Sequence, residues 1–136
     1  RSSGRRPKGR KPGTFSFLGF VYYWGKTFRG GYTIKRKTEG KRIVRTRSSI
    51  RKWCREHRHD SLKDQYRTLC AKLRGHYQYY GVRCNSTCLD QVYYAAVCAW
   101  RYWLRRRGGR KMTWEKYNAL LSAYPLPSPR IVHPWV

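Results

Sequence analysis

LKDQYRTLCAKLRGHYQYYGV (62–82) carries the clearest periodicity in the chain. Leu62, Tyr66, Leu69, Cys70, Leu73, Tyr77 and Tyr80 recur at spacings of three and four, the repeat of one face of an α-helix. Asp60 or Ser61 stands where an N-cap is expected, and Gly81 lies just past the last periodic residue, a common helix stop. The stretch predicts a core helix with a polar face near its end, made of Arg74, His76 and Gln78. Tyr79 also falls off the apolar stripe, and rings so placed stack bases in binders of single-stranded RNA.

Working outward, Ile43, Ile50, Trp53, Cys54 and His57 predict an earlier helix over about 43–57. NSTC (85–88) offers caps for a third helix carrying Leu89, Val92, Tyr93, Ala96, Trp100, Trp103 and Leu104. Thr113 is placed to cap a short fourth with Trp114, Tyr117, Leu120 and Leu121. Tyr66, Trp100 and Trp114 are assigned to the core. Ahead of the helices, TFSFLGFVYYWG (14–25) and GGYTIKRKT (30–38) flank a turn-rich stretch and predict a β-hairpin. By the period of two, Tyr32 and Ile34 would face inward and Lys35 or Lys37 outward. The expected class is α+β, an N-terminal β-hairpin followed by a bundle of three to four helices. Its parts are a basic flexible tail (1–13), the hairpin (14–40), the helical domain (41–124) and a proline-rich tail (125–136). No internal repeat is visible.

The charge is extreme. Thirty-two Lys and Arg face six Asp and Glu, a formal +26. Self-repulsion of that size opposes a compact state unless a polyanion neutralises it. Nucleic acid is the natural partner, because each phosphate contact releases counterions, and the interleaving of cations with Trp and Tyr favours it over a membrane surface. No apolar run approaches the roughly 20 residues of a membrane span, and the first thirteen residues lack the apolar segment of a signal peptide. A start at Arg1 reads as a processed product or a fragment. Five cysteines, an odd number, argue against a disulfide framework. Cys54, Cys70 and Cys98 fall on apolar helical positions, and a reducing cytosol is the simplest compartment.

Catalytic chemistry is hard to assemble from these residues. Two-metal phosphoryl transfer needs clustered carboxylates, and Asp60 and Asp64 are better explained by capping and surface charge. Cys84-x-x-x-Cys88 and His57-x-His59 lack a second, properly spaced pair for zinc. No phosphate-cradling glycine motif is present.

The cations fall into two groups. Lys35, Arg36, Lys37, Lys41, Arg42 and Arg45 lead into Arg47, Arg51, Lys52, Arg55 and Arg58, and helical spacing sets Arg47, Arg51, Arg55 and Arg58 along one stripe. Such a row can follow a phosphate backbone, with Arg bridging oxygens bidentately. The second group, Arg101 with Arg105, Arg106, Arg107, Arg110 and Lys111, closes the third helix, where part of it complements the helix dipole.

FSFLGF (15–20), RGGYTIKRKT (29–38), WCREHRH (53–59), KLRGHYQYYGV (72–82), WRYWLRRR (100–107), WEKYN (114–118) and PLPSPRIVHPW (125–135) occur in this order. Together they closely resemble the C-terminal part of bacterial group II intron-encoded reverse transcriptase/maturases, over residues 14–136. The resemblance implies that 14–38 is the palm-edge hairpin and 41–124 the thumb, or maturase X domain, which holds intron RNA for splicing and grips the template–primer duplex. It makes Leu73–Tyr77 a signature segment, with Arg74 and His76 as its RNA contacts. The family's catalytic Tyr-x-Asp-Asp motif, its fingers and most of its palm are missing. The resemblance therefore implies a chain derived from an RNA-directed DNA polymerase that cannot polymerise alone. Cofactors are none in this chain, since Mg²⁺ would belong to the missing palm and to the RNA. Cys84 and Cys88 stand where small or polar residues are expected. Partners would be structured intron RNA, an RNA–DNA duplex and the missing polymerase portion, with no membrane, in a cytoplasmic ribonucleoprotein. A polymerase fragment active only with its palm, and a non-specific basic nucleic-acid binder, are the competing readings.

Overall fold

The side chain of Ser61 accepts a hydrogen bond from the Asp64 N–H at 3.2 Å and starts a helix that runs Leu62–Tyr80. In the computed structural model, which describes residues 14–106 and 113–134, this is α2. It follows β1 (Phe15–Phe17), β2 (Phe20–Lys26), β3 (Tyr32–Thr38) and α1 (Gly40–Glu56), and precedes α3 (Ser86–Arg105) and α4 (Trp114–Ala123). The α+β class expected from the sequence holds, with one addition: the hairpin is a three-stranded antiparallel sheet in the order β1-β2-β3.

The core forms where the apolar stripes meet. Leu69, Leu73 and Tyr77 of α2 pack with Leu89, Val92, Ala96 and Trp100 of α3, Ile50 and Cys54 of α1, and Tyr117 of α4. The polar side chains that reach this helical core are paired, as their desolvation demands. The Trp100 indole donates to Gln65 Oε1 at 2.8 Å, and Gln65 Nε2 donates to the carbonyls of His57 (2.8 Å) and Asp60 (3.2 Å), locking the α1–α2 turn. Tyr117 donates to the Val97 carbonyl at 2.7 Å. Burial pushes the Tyr117 and Tyr77 hydroxyls above their ordinary pKa. Two assignments to the apolar interior are corrected. Trp114 is half exposed, with the Arg101 guanidinium 4.0 Å from its ring centroid, and Cys98 is exposed, lining a groove between α1 and α3.

Leu18 (φ 53°) and Gly19 (φ 86°) both occupy the left-handed region and join β1 to β2, as a two-residue hairpin with matching twist requires. Ile34 is on the face that alternation predicts but is not buried there: it is 43 % exposed, whereas Lys35 is half-buried with its stem against Gly25. The physical reason is that the sheet does not lie flat on the helices. It meets them at one corner, where Phe20 and Thr38 are buried. Register places Phe15, Phe17, Tyr22, Trp24, Ile34 and Arg36 on the same face as these two.

That corner is tied by Asn85, the residue before α3. Its side chain turns away from the helix it precedes. Oδ1 accepts from the Thr38 N–H at 2.8 Å, and Nδ2 donates to Thr38 Oγ1 and to the Tyr80 carbonyl, each at 2.8 Å. Gly81 ends α2 with φ −76°, so its role is not a left-handed cap. A Cβ there would run into the carbonyls of Tyr77 and Arg130. The proline-rich segment crosses at this point, and the N–H groups of Val132 and His133 donate to the Gly81 carbonyl at 2.7 and 2.8 Å. The segment lies along α2, held by Tyr66 and Tyr77 hydroxyls donating to the carbonyls of Pro125 (2.9 Å) and Pro127 (2.8 Å).

Candidate nucleic-acid interface

With so few acids, most cations have no carboxylate to meet. Ion pairs among the described residues join Glu39 to Lys41 (3.9 Å) and Arg42 (4.0 Å), and Asp64 to Arg67 (3.9 Å). All are long and at least partly solvated, a geometry that contributes little stability. Lys41 and Arg42 sit in the first turn of α1, where cations oppose the helix dipole; Glu39 offsets part of that cost.

The structure spreads the first cationic group over two surfaces. Lys35, Arg36 and Lys37 alternate across β3. Arg36 lies 5.0 Å from the Phe20 ring centroid on the aromatic face, and Lys37 lies 5.3 Å from Tyr23 on the other. Arg45, Arg51, Lys52 and Arg55 are exposed on α1, and Arg47 is half-buried. The expected four-residue stripe is shortened. Arg58 lies beyond the end of α1 at Glu56, and its guanidinium folds back to donate to the Arg55 carbonyl at 2.6 Å, 5.7 Å from the Trp103 ring.

Arg47 and Arg51 border a groove between α1 and α3. Its two lobes, of about 440 and 370 Å³, share Arg51, Ala95 and Cys98. Tyr94 and Tyr102 line opposite lobes and are 65 % and 43 % exposed. Arg106 sits 4.3 Å from the Tyr102 ring centroid. Arg105 is exposed beside it, while Arg107, Arg110 and Lys111 lie outside the described residues. Neither tyrosine was singled out in the sequence, although the signal was there: Tyr94 falls off the α3 stripe just as Tyr79 falls off that of α2.

No family model, known protein or solved structure matches the chain.

At the end of α2 the residues expected to act together are separated. Arg74 and Gln78 are exposed and share a cleft of about 430 Å³ with Ser128 and Arg130 of the crossing segment. Tyr79 is not a free stacking ring. Its hydroxyl donates to the Leu18 carbonyl at 2.6 Å, and its ring packs on Phe20 at 5.7 Å, so it clamps the sheet to α2. His76 is turned inward, stacked on Tyr80 at 4.7 Å, with Nε2 buried and unpartnered. Burial pushes its pKa down to about 4, so at neutral pH it offers no positive charge to a phosphate. The unfolded chain, with His near 6.5, binds this proton more readily than the folded one. Stability is thus full above pH 6.5 and declines as pH falls towards 4. Comparing melting midpoints at pH 7 and pH 5, the parent should lose more than His76→Phe, which keeps a ring but cannot titrate; an equal loss would refute the assignment.

Among the described residues, no group of three or more His, Cys, Asp or Glu could hold a metal ion. No described helix is long and apolar enough to cross a membrane.

Proposed function

We propose that this protein is an RNA-binding module of the maturase/thumb type, which grips structured RNA through its cations and has no catalytic centre of its own. The observation that carries the reading is the array of solvated arginines on α1 and at the end of α3, Arg105 and Arg106, set beside exposed aromatic rings with almost no acid among them. Phosphates satisfy such guanidinium groups through charge-assisted, bidentate hydrogen bonds, and counterion release supplies the driving force. Folded group II intron RNA is the preferred ligand, in a cytoplasmic ribonucleoprotein, with an RNA–DNA duplex held by the same surface. Any Mg²⁺ requirement belongs to the RNA and to a polymerase palm acting with this module.

The test is a competition titration over a salt series, setting folded group II intron RNA against unstructured RNA of equal length and duplex DNA. A preference for the intron that survives raised salt is expected. Equal binding that disappears with salt would instead identify a non-specific basic binder. In the same assay, alanine at Arg47, Arg51 and Arg55 together should flatten the salt dependence by about two to three units of slope, one contact each. An unchanged slope in a folded variant would remove α1 from the interface.

A further inference from the structure

From the groove between α1 and α3 we infer a binding track for a short single-stranded segment of RNA, an inference that rests on the RNA-binding reading above. Its border carries Arg47 and Arg51, and its floor is built from small side chains, Ala95 and Cys98. Tyr94 and Tyr102 stand eight residues apart on α3, about 12 Å along the helix axis. That is the length of three to four stacked nucleotides at about 3.4 Å each.

Two physical arguments select a single strand over a duplex. Helices packed side by side have axes about 8–10 Å apart, too narrow a cleft to admit a double helix. In a duplex, moreover, the base faces are already covered by their neighbours, so exposed tyrosine rings gain nothing from it, whereas an unpaired base can stack on them. The arginine border speaks against an apolar partner helix, which would have to desolvate Arg47 and Arg51 without neutralising them. Phosphates of a single strand neutralise them directly. The Arg106 guanidinium over Tyr102 supplies a further phosphate partner beside the second ring. Asp90 is the carboxylate in this groove and lines the same lobe as Arg47 and Arg51. It belongs to α3 and the two arginines to α1, so phosphates are favoured along the α1 border.

Fluorescence anisotropy of the full chain, with an unstructured RNA of about ten nucleotides and a blunt RNA duplex of equal phosphate count, tests this. Tyr94→Ala with Tyr102→Ala should weaken single-strand binding by roughly tenfold or more per ring, leave duplex binding and the salt slope unchanged, and lower the melting midpoint only slightly, since Tyr94 is mostly exposed and Tyr102 packs edge-on against Trp103 alone of the core rings. Tyr94→Phe with Tyr102→Phe should restore the loss. Unchanged single-strand binding in the alanine pair overturns the track and leaves the groove to a protein partner; equal losses on single strand and duplex overturn it as well. These outcomes are separable from the broader reading. A parent that prefers folded intron RNA while the alanine pair behaves like it refutes the track alone, whereas a ring-dependent single-strand affinity without any intron preference refutes the maturase reading alone.

Discussion

Trp100→Ala should destabilise the protein by about 3–5 kcal/mol, lowering the thermal midpoint by roughly 10–20 °C. Trp100 is 2 % exposed and sits where all four helices meet. Its loss opens a cavity bounded by Leu69, Tyr117 and their neighbours. It also strands Gln65 Oε1, which accepts the indole N–H, and Gln65 is the residue that holds the α1–α2 turn. Trp100→Phe separates the two effects: it retains most of the volume but not the donor, so it should recover most, not all, of the loss. Chemical denaturation monitored by far-ultraviolet circular dichroism measures both. An alanine variant that melts like the parent would show that α3 does not anchor the core.

Asn85→Ala should cost about 3 kcal/mol, because it leaves the Thr38 N–H, the Thr38 hydroxyl and the Tyr80 carbonyl without their partner at a buried corner. Asn85 is fully buried and lies at the seam between sheet and helices. The loss should therefore be local in character. Amide exchange is expected to accelerate across β2 and β3 while α2 and α3 keep their protection. Asn85→Asp is the sharper variant. It retains the acceptor for Thr38 N–H, loses both donors and buries a carboxylate, so it should be at least as damaging. Uniform acceleration throughout the helices would mean that Asn85 supports the core as a whole instead of fastening the sheet to it.

Much of this architecture was legible from periodicity. The α2 stripe from Leu62 to Tyr80, its Ser61 cap and the Thr113 cap of α4 all stand where spacing put them. These features are encoded within one or two turns, and three- and four-residue spacing reports directly on burial along a helix. The sheet was less legible. Alternation in YTIKRKT identified a strand, but alternation does not say which face is covered, and the aromatic face carrying Ile34 remains largely solvated. His76 was misplaced for a related reason. An off-stripe position near a helix end can still be covered from outside by a neighbouring ring, here Tyr80. The candidate site was legible as composition and a row of arginines. Its tyrosine wall was not, because α3 had first to be laid against α1.

Taken alone, the sequence determined the α+β class, the helices, most of the core and the excess of cations that asks for a polyanion, since each is a sum or a short-range period. Tertiary packing decided the rest. It brought Arg47 and Arg51 opposite Tyr94 and Tyr102, folded Arg58 back onto Trp103, and turned Asn85 from a helix cap into a tie across 47 residues of chain. Such contacts depend on how far apart two helix axes settle and which way a strand corner turns. No local spacing records those distances, and they are set by side chains packing against one another across the core.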